Sequence, residues 1–256
     1  MIRPVRLFFP VIIALAASAV AVFLYYLPMP KPTEEKEYKE AVRRISFKDP
    51  ESLEEWDEKR LGSCSTEYTV EEIDGRGVLK AVSEASASGL YLKEKLSYRD
   101  RPYVKWDWKV EKFPERKNGE SLESKKEFDF AAQFYVLFYS RVMLSSQGIQ
   151  YVWTEEIPVG TSKISPYTKN VKILVLESGK SEEWKTEERD ISADYLELFG
   201  KKLEKDVVAV AFMTDADSTG TTAEAYFADM EMGYLPVMNT EIQEENEKVT
   251  DKGGGH

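Results

Sequence analysis

The stretch Tyr103–Val110, with the sequence YVKWDWKV, decides the fold of this chain. Its even-numbered residues are valine or tryptophan, whereas its odd-numbered residues are tyrosine, lysine or aspartate. Because side chains alternate between the two faces of a β-strand, this pattern predicts a strand with one buried and one solvated face.

Nine further stretches, rich in β-branched and aromatic residues, predict more strands. They are Thr66–Ile73, Gly77–Ser83, Ser88–Lys95, Phe128–Tyr139, Ile149–Thr154, Asn170–Ser178, Trp184–Asp190, Val207–Thr214 and Thr221–Met232. Glycine-containing turn pairs separate several of them, which is typical of hairpins. Those pairs are Asp74-Gly75, Asn118-Gly119, Ser178-Gly179 and Thr219-Gly220.

Only two short helices are predicted. Asp49 can cap one helix, with Pro50 at its first position. Ser192 can cap another that runs through Phe199 and ends at Gly200. Many strands with one or two short helices predict an all-β, jelly-roll-like β-sandwich.

The N-terminus carries a different signal. Leu7–Leu27 contains no charged residue, and as a helix it would span roughly 31 Å, which matches a membrane core. Its length favours a single transmembrane anchor over the alternative, a cleaved signal peptide. Arg3 and Arg6 precede it, so the N-terminus is expected in the cytoplasm and the remaining chain outside.

These signals divide the chain into four parts. Residues 1–30 are the anchor or signal peptide, and residues 31–44 are a proline-containing, charged linker. Residues 45–237 form the sandwich domain, and residues 238–256 are an acidic tail expected to be disordered. The expected location is the cytoplasmic membrane, crossed once, with the domain on the periplasmic or extracellular side.

Composition excludes several functions. The chain has 46 acidic and 35 basic residues, and its formal net charge of −11 argues against binding nucleic acid. A single histidine, His256, excludes histidine-based triads and multi-histidine metal centres. A single cysteine excludes an internal disulfide.

A set of short motifs, taken in order, resembles a bacterial family of exported proteins known as the domain of unknown function numbered three-zero-four-seven. The motifs include Ser86–Leu90, Trp106–Val110, Asp129–Ala132, Tyr151–Trp153, Pro158–Thr161, Pro166–Thr168, Glu188-Arg189 and Met213–Gly220. Residues 148–150 and 163–165 depart from the family pattern. The order of elements also resembles galactose-binding-like sandwiches of carbohydrate-binding modules. This resemblance implies a fold and no reaction.

Four residues are candidates for ligand binding. Tyr151 and Trp153 share one face of a predicted strand, and with Tyr167 they could form an aromatic platform for sugar rings. Asn170 could bond a ligand hydroxyl. The alternative is that these aromatic rings fill the core.

One loop is a candidate metal site. Asp215, Asp217 and Thr219 place oxygen-bearing side chains at alternate positions, as a calcium loop does. The alternative is a hairpin turn in which these side chains bond local backbone amides.

The predicted function is a non-enzymatic module that binds a polysaccharide or another envelope component, with a glycan or an envelope protein as partner. One alternative is a carbohydrate-active hydrolase or lyase that uses paired carboxylates, such as Asp129 with Asp229 or Asp215 with Glu188. Another alternative is a structural envelope scaffold. Nucleophilic catalysis is disfavoured because the chain contains no Gly-x-Ser-x-Gly elbow.

Overall fold

The computed structural model describes residues 39–141 and 146–236. These residues form two β-sheets packed face to face, so the predicted all-β sandwich is confirmed. Within the described residues, no helix is long and apolar enough to cross a membrane. The predicted anchor and the predicted tail lie outside the described residues.

The described part of the chain contains thirteen strands, one α-helix and two 3-10 turns. The strands are β1 (Glu40–Ile45), β2 (Trp56–Arg60), β3 (Glu67–Ile73), β4 (Arg76–Glu84), β5 (Ala87–Leu96), β6 (Pro102–Lys112), β7 (Ala132–Phe138), β8 (Gly148–Thr154), β9 (Ser162–Ile164), β10 (Val171–Ser178), β11 (Lys185–Asp190), β12 (Val207–Asp215) and β13 (Thr222–Tyr234). The helix α1 spans Ile191–Phe199, and the 3-10 turns span Pro50–Leu53 and Tyr98–Asp100.

The strands divide between a six-stranded and a seven-stranded sheet. The six-stranded sheet has the order β11-β6-β13-β4-β3, and β1 pairs with β13 beside this path. The seven-stranded sheet has the order β2-β5-β12-β7-β8-β10-β9. Strands β8 and β10 are parallel, whereas β7 and β12 pair with their neighbours in antiparallel fashion.

Aromatic rings fill the space between the sheets. Trp106 and Trp108 of β6 are fully buried, as the alternation in YVKWDWKV predicts. Trp106 stacks on Phe134 of the opposite sheet, with ring centroids 4.2 Å apart. Phe134 also contacts Phe212 of β12, at a centroid distance of 5.2 Å. The inner faces of both sheets therefore share one apolar core.

Three strands depart from the predictions. β1 occupies part of the predicted linker, because Glu40–Ile45 pairs with β13 along its length. β2 and β9 were not predicted, and they lie at the two edges of the seven-stranded sheet. Edge strands carry many exposed charged and polar side chains, so they lack the apolar alternation that marks half-buried strands.

The predicted local signals at turns and caps are otherwise present. Asp49 caps the first 3-10 turn by accepting a hydrogen bond from the Ser52 amide. Helix α1 begins after Asp190, which replaces the predicted Ser192 as its cap, and it ends at Gly200 in the left-handed conformation. The β3–β4 hairpin turns at Asp74 and Gly75, whose φ angles are 53° and 77°.

Candidate functional site

The outer face of the seven-stranded sheet carries a block of polar side chains near its centre. Gln133 and Tyr135 of β7 lie two residues apart, so both point away from the core. Gln133 pairs with Met213 of β12, and Tyr135 pairs with Gln150 of β8. Four neighbouring outward positions thus hold two glutamines, a tyrosine and a methionine.

A cavity of about 440 Å³ lies over this block, and we call it the outer cavity. It is lined by Leu61, Ala87, Phe128, Tyr135, Gln150, Ser165, Tyr167, Thr168, Val171, Met213, Asp215 and Asp217. Phe128 packs edge-on against Tyr167, with ring centroids 5.5 Å apart, and thereby orients the tyrosine ring. Aromatic and polar groups therefore face the same space.

A chain of hydrogen bonds fixes the polar groups below the outer cavity. Gln133 Nε2 donates to Asp215 Oδ1 at 2.8 Å and to the Phe130 carbonyl oxygen at 3.2 Å. Gln133 Oε1 accepts from Gln150 Nε2 at 2.8 Å and from the Tyr135 hydroxyl at 3.0 Å. These bonds settle which atom of each amide group is the donor and which is the acceptor.

Three carboxylates gather at one side of the outer cavity. Asp129, Asp215 and Asp217 each place an oxygen within 4.8 Å of the others. Asp129 is buried and accepts from the Ser218 and Thr219 amides, at 3.2 Å and 2.7 Å. These two bonds tie the loop after β12 to the segment that precedes β7.

The surroundings of Asp215 and Asp217 change the acidity of these two carboxyl groups. Burial, followed by the charge of Asp129, raises the pKa of Asp215 well above its ordinary value. Partial burial and the charge of Asp129 also raise the pKa of Asp217, although this residue reaches the surface. Burial and the charge of Asp215 raise the pKa of Tyr135 far enough that its hydroxyl remains a donor.

Two of the predicted ligand-binding residues lie in the core. Tyr151 is fully buried, and its hydroxyl donates to Asp194 at 2.6 Å. Trp153 is also buried, and its indole nitrogen donates to the Gly179 carbonyl oxygen at 2.9 Å. Both rings face the six-stranded sheet, so neither can line a surface platform in this fold. Tyr151 and Trp153 therefore fill the core, which was the alternative interpretation of these two rings.

The other two predicted residues lie near the outer cavity. Tyr167 is 56% exposed and lines it directly. Asn170 immediately precedes the lining residue Val171, and its carbonyl oxygen accepts from the Gly148 amide at 3.1 Å. The aromatic contribution to the cavity thus comes from Tyr167, with Phe128 and Tyr135 in place of the two core rings.

The structure brings together two of the three predicted metal ligands. Asp215 and Asp217 face each other across the acidic group, and Asp129 joins them. The Thr219 hydroxyl instead contacts the Ala216 carbonyl oxygen at 3.3 Å and the Thr221 hydroxyl at 2.9 Å. Calcium binding at this site stays a prediction. Its third side-chain oxygen would come from Asp129 instead of Thr219.

The two predicted catalytic pairs, Asp129 with Asp229 and Asp215 with Glu188, do not form, because one member of each lies on the six-stranded sheet and pairs with a basic residue. Asp229 lies on the six-stranded sheet and forms an ion pair with Arg76 at 2.7 Å. Glu188, on the same sheet, forms an ion pair with Lys39 at 2.7 Å.

Sequence reasoning missed the glutamines beneath the outer cavity, although a signal was present. Gln133 and Gln150 each interrupt an otherwise apolar or aromatic strand. Both are almost fully buried, and a buried amide requires partners, so each such interruption marks a polar network.

Residues 54–231 match the family described as "Protein of unknown function (DUF3047)". The chain therefore belongs to the DUF3047 family, as the motifs predict. No curated protein matches the chain.

Solved structures with a similar fold include proteins that act on or bind carbohydrates. A family 11 carbohydrate-binding module from Clostridium thermocellum, in complex with a mixed-linked tetrasaccharide, is 10% identical with a TM-score of 0.38. That alignment covers 77% of this chain and 100% of the module. The xyloglucanase domain of NopAA from Sinorhizobium fredii, in complex with cellobiose, is 10% identical with a TM-score of 0.41, over 70% and 92% of the two chains.

Proposed function

We propose that this DUF3047 protein is a glycan-binding module and that the outer cavity holds its ligand. The observation that carries the proposal is the combination of aromatic rings and buried hydrogen-bonding groups around one open volume of about 440 Å³. Binding sites for small ligands and sugar units typically have this composition.

The aromatic rings of Phe128, Tyr135 and Tyr167 line the outer cavity, and we call them the aromatic wall. Such a wall suits the apolar face of a sugar ring. Tyr167 is the most exposed ring at the outer cavity, and its contact with Phe128 restricts its orientation before a ligand arrives. A ring that is already ordered loses little conformational entropy on binding. Tyr167 is therefore the residue expected to contribute most to stacking.

The polar side chains of Gln150 and Asp215 at the outer cavity suit the hydroxyl groups of a sugar. Gln150 is 1% exposed, and its Nε2 is held by Gln133, so its Oε1 is the atom left to meet a ligand. Asp215 Oδ1 likewise accepts from the Phe130 amide and from Gln133, which leaves Oδ2 to meet a ligand. Acceptors held in place by the fold can select a ligand by the positions of its donors.

A glycan array followed by calorimetry tests this proposal with the full-length protein. Tyr167→Ala is expected to weaken binding of the selected glycan by roughly 5- to 50-fold, since stacking and burial of a tyrosine contribute about 1–2 kcal/mol. Tyr139→Ala is the matched control, because Tyr139 is 53% exposed and lies outside the outer cavity.

Binding that Tyr167→Ala leaves unchanged, or an array without any bound glycan, would overturn the proposal. Release of new reducing ends from the bound glycan would instead support the carbohydrate-active enzyme. Both readouts use the same protein preparation.

We also propose that the apolar segment Leu7–Leu27 anchors the protein in the cytoplasmic membrane, with the sandwich facing outward. The support is its length and the two arginines before it. Membrane fractionation with intact-mass measurement should find the whole chain in the membrane. A soluble, exported species shortened at its N-terminus would support a signal peptide instead.

A further inference from the structure

The outer cavity offers a ligand mainly hydrogen-bond acceptors. The Gln150 side chain donates to Gln133, and no described residue donates to its Oε1. Asp215 Oδ1 accepts two hydrogen bonds, whereas its Oδ2 accepts none from the described residues. Asp217 adds a further carboxylate to the lining. A complementary ligand must therefore supply donors.

The outer cavity is also acidic, and its carboxylates form no ion pair with the described residues, although Lys125 lies beside the Tyr167 ring. No lysine or arginine is among the described residues that line it, and no described ion pair involves Asp129, Asp215 or Asp217. Burial without a cationic partner raises the pKa of Asp215 and so favours its protonated form. A cationic ligand group beside Asp215 would lower that pKa and stabilise the carboxylate, and this coupling favours a positively charged ligand.

The aromatic wall has the same preference. Tyr167 already holds one cation near its ring, since Lys125 Nζ lies 5.1 Å from the ring centroid. Phe128 and Tyr135 line the same space. Aromatic faces attract ammonium groups through their quadrupoles, especially where water is excluded.

A metal ion would use this arrangement poorly. Both oxygens of Asp129 and one oxygen of Asp215 already accept backbone or amide hydrogen bonds. Asp129, Asp215 and Asp217 each offer one oxygen to a shared ion, whereas calcium requires six to eight oxygen ligands, so these residues alone leave its shell incomplete. Calcium also gains nothing from the aromatic wall or from most of the cavity volume.

We propose that the outer cavity selects a glycan whose sugar units carry a free, cationic amino group. This inference rests on the proposed glycan-binding function. The ammonium group lies against Asp215 and Asp217, and an adjoining sugar ring stacks on Tyr167. An N-acetylated unit would place a neutral, bulkier amide against the carboxylates and is selected against.

Three tetramers with the same β-1,4 linkage test the proposal, because they differ only at carbon 2 of each sugar. They are the glucosamine tetramer, the N-acetylglucosamine tetramer and cellotetraose. Calorimetry with the full-length protein at neutral pH should show the glucosamine tetramer binding at least tenfold more tightly than the other two. Equal or tighter binding of a neutral tetramer would overturn the inference and leave the proposed function standing.

Substitutions separate site binding from general attraction to an acidic protein. Asp215→Asn keeps an oxygen for the Phe130 amide and Gln133, and it should weaken the glucosamine tetramer by roughly 10- to 100-fold. Asp217→Asn, at an exposed position, should act in the same direction and does not depend on a buried change. The matched control is Asp74→Asn, in the β3–β4 turn, because asparagine tolerates the same left-handed conformation.

Equal losses from Asp74→Asn and Asp215→Asn would overturn the proposal, since they would indicate non-specific attraction. Calcium chloride is titrated alone and in competition, and calcium that binds tightly and excludes the tetramer would overturn it as well. Butylamine that binds as tightly as the tetramer would overturn the proposal too, because the ammonium group alone would then account for binding. Failure of all tetramers and of the glycan array would overturn the proposed function too.

Discussion

Glu187 is a carboxyl group that the sandwich holds against its core. It lies on β11 opposite Trp106, so it faces inward, and its Oε1 is buried without a hydrogen-bond partner in the described residues. Burial, followed by the charge of Glu177 on the other sheet, raises the pKa of Glu187 to about 7. This residue therefore titrates close to physiological pH.

The raised pKa of Glu187 makes stability depend on pH. Its pKa in the unfolded chain is near 4.5, so between pH 4.5 and 7 the folded state binds more protons than the unfolded state. The free energy of unfolding consequently falls as pH rises through this window, by about 1–3 kcal/mol for this group. The contribution is complete below pH 4.5 and is lost above pH 7.

We expect Glu187→Gln to remove this part of the pH dependence, because the amide does not ionise. Urea unfolding at pH 5 and pH 8 measures the difference for the wild type and the variant. Glu188→Gln is the control, since Glu188 is the next residue on β11 and points to the outer face. A variant that loses as much stability between the two pH values as the wild type would contradict the assignment.

The segment between β6 and β7 is an element without regular structure that the fold nevertheless holds firmly. Its residues Leu122, Phe128 and Phe130 cover the outer face of β8 and β10. Glu120 Oε2 accepts from the Glu155 and Glu156 amides, both at 2.9 Å. This segment supplies Phe128 to the outer cavity, so its order decides the shape of the site.

We expect Glu120→Ala to loosen this segment. The change leaves the backbone amides without an acceptor and removes the nearer of two ion-pair partners of Arg116, whose side chain is only 4% exposed; the other partner, Glu155, lies at 3.8 Å. Removing one member of a buried pair costs about 3 kcal/mol or more. Hydrogen exchange should accelerate in residues 113–131, and glycan affinity should fall with it.

Glu123→Ala provides the matched control for that experiment. Glu123 lies in the same segment and pairs with Lys163, but its side chain is 70% exposed. Exposed pairs contribute little, so exchange should remain at the wild-type rate. Unchanged exchange in Glu120→Ala would show that the apolar cover alone holds the segment.

The elements also show how far the sequence predicts this fold. Alternation placed β6 and its inward tryptophans correctly, because only one face of that strand is apolar. Strand β8 is buried at every position, so its sequence does not reveal which face carries a ligand. The pattern allowed either a platform or core filling for Tyr151 and Trp153; both rings lie in the core, and Gln150 marks the cavity side of β8. Asp129 and Asp215 meet only through the pairing of distant strands, which local patterns do not specify.

At the scale of the whole molecule, β1 ties the beginning of the described chain to the sandwich. It pairs with the end of β13, and Glu40 lies opposite Tyr234. A Cβ added at Gly233 would overlap the Glu40 carbonyl oxygen, so this pairing requires glycine there. β1 occupies the last part of the predicted linker, which is thereby incorporated into the six-stranded sheet.

We expect Gly233→Ala to detach β1 from the six-stranded sheet while the rest of the sandwich stays folded. The loss of several strand hydrogen bonds should lower the free energy of unfolding by about 2–4 kcal/mol. Detachment also exposes the backbone at Arg43 and Arg44, which is protected in the paired strand. Limited trypsin digestion with mass spectrometry should therefore find cleavage after these arginines much faster in the variant.

Gly89→Ala is the control, because a Cβ at Gly89 meets its nearest neighbour at 3.8 Å, an ordinary contact. If Gly233→Ala resists trypsin as well as Gly89→Ala does, β1 is held by its side chains rather than by close approach of the two backbones.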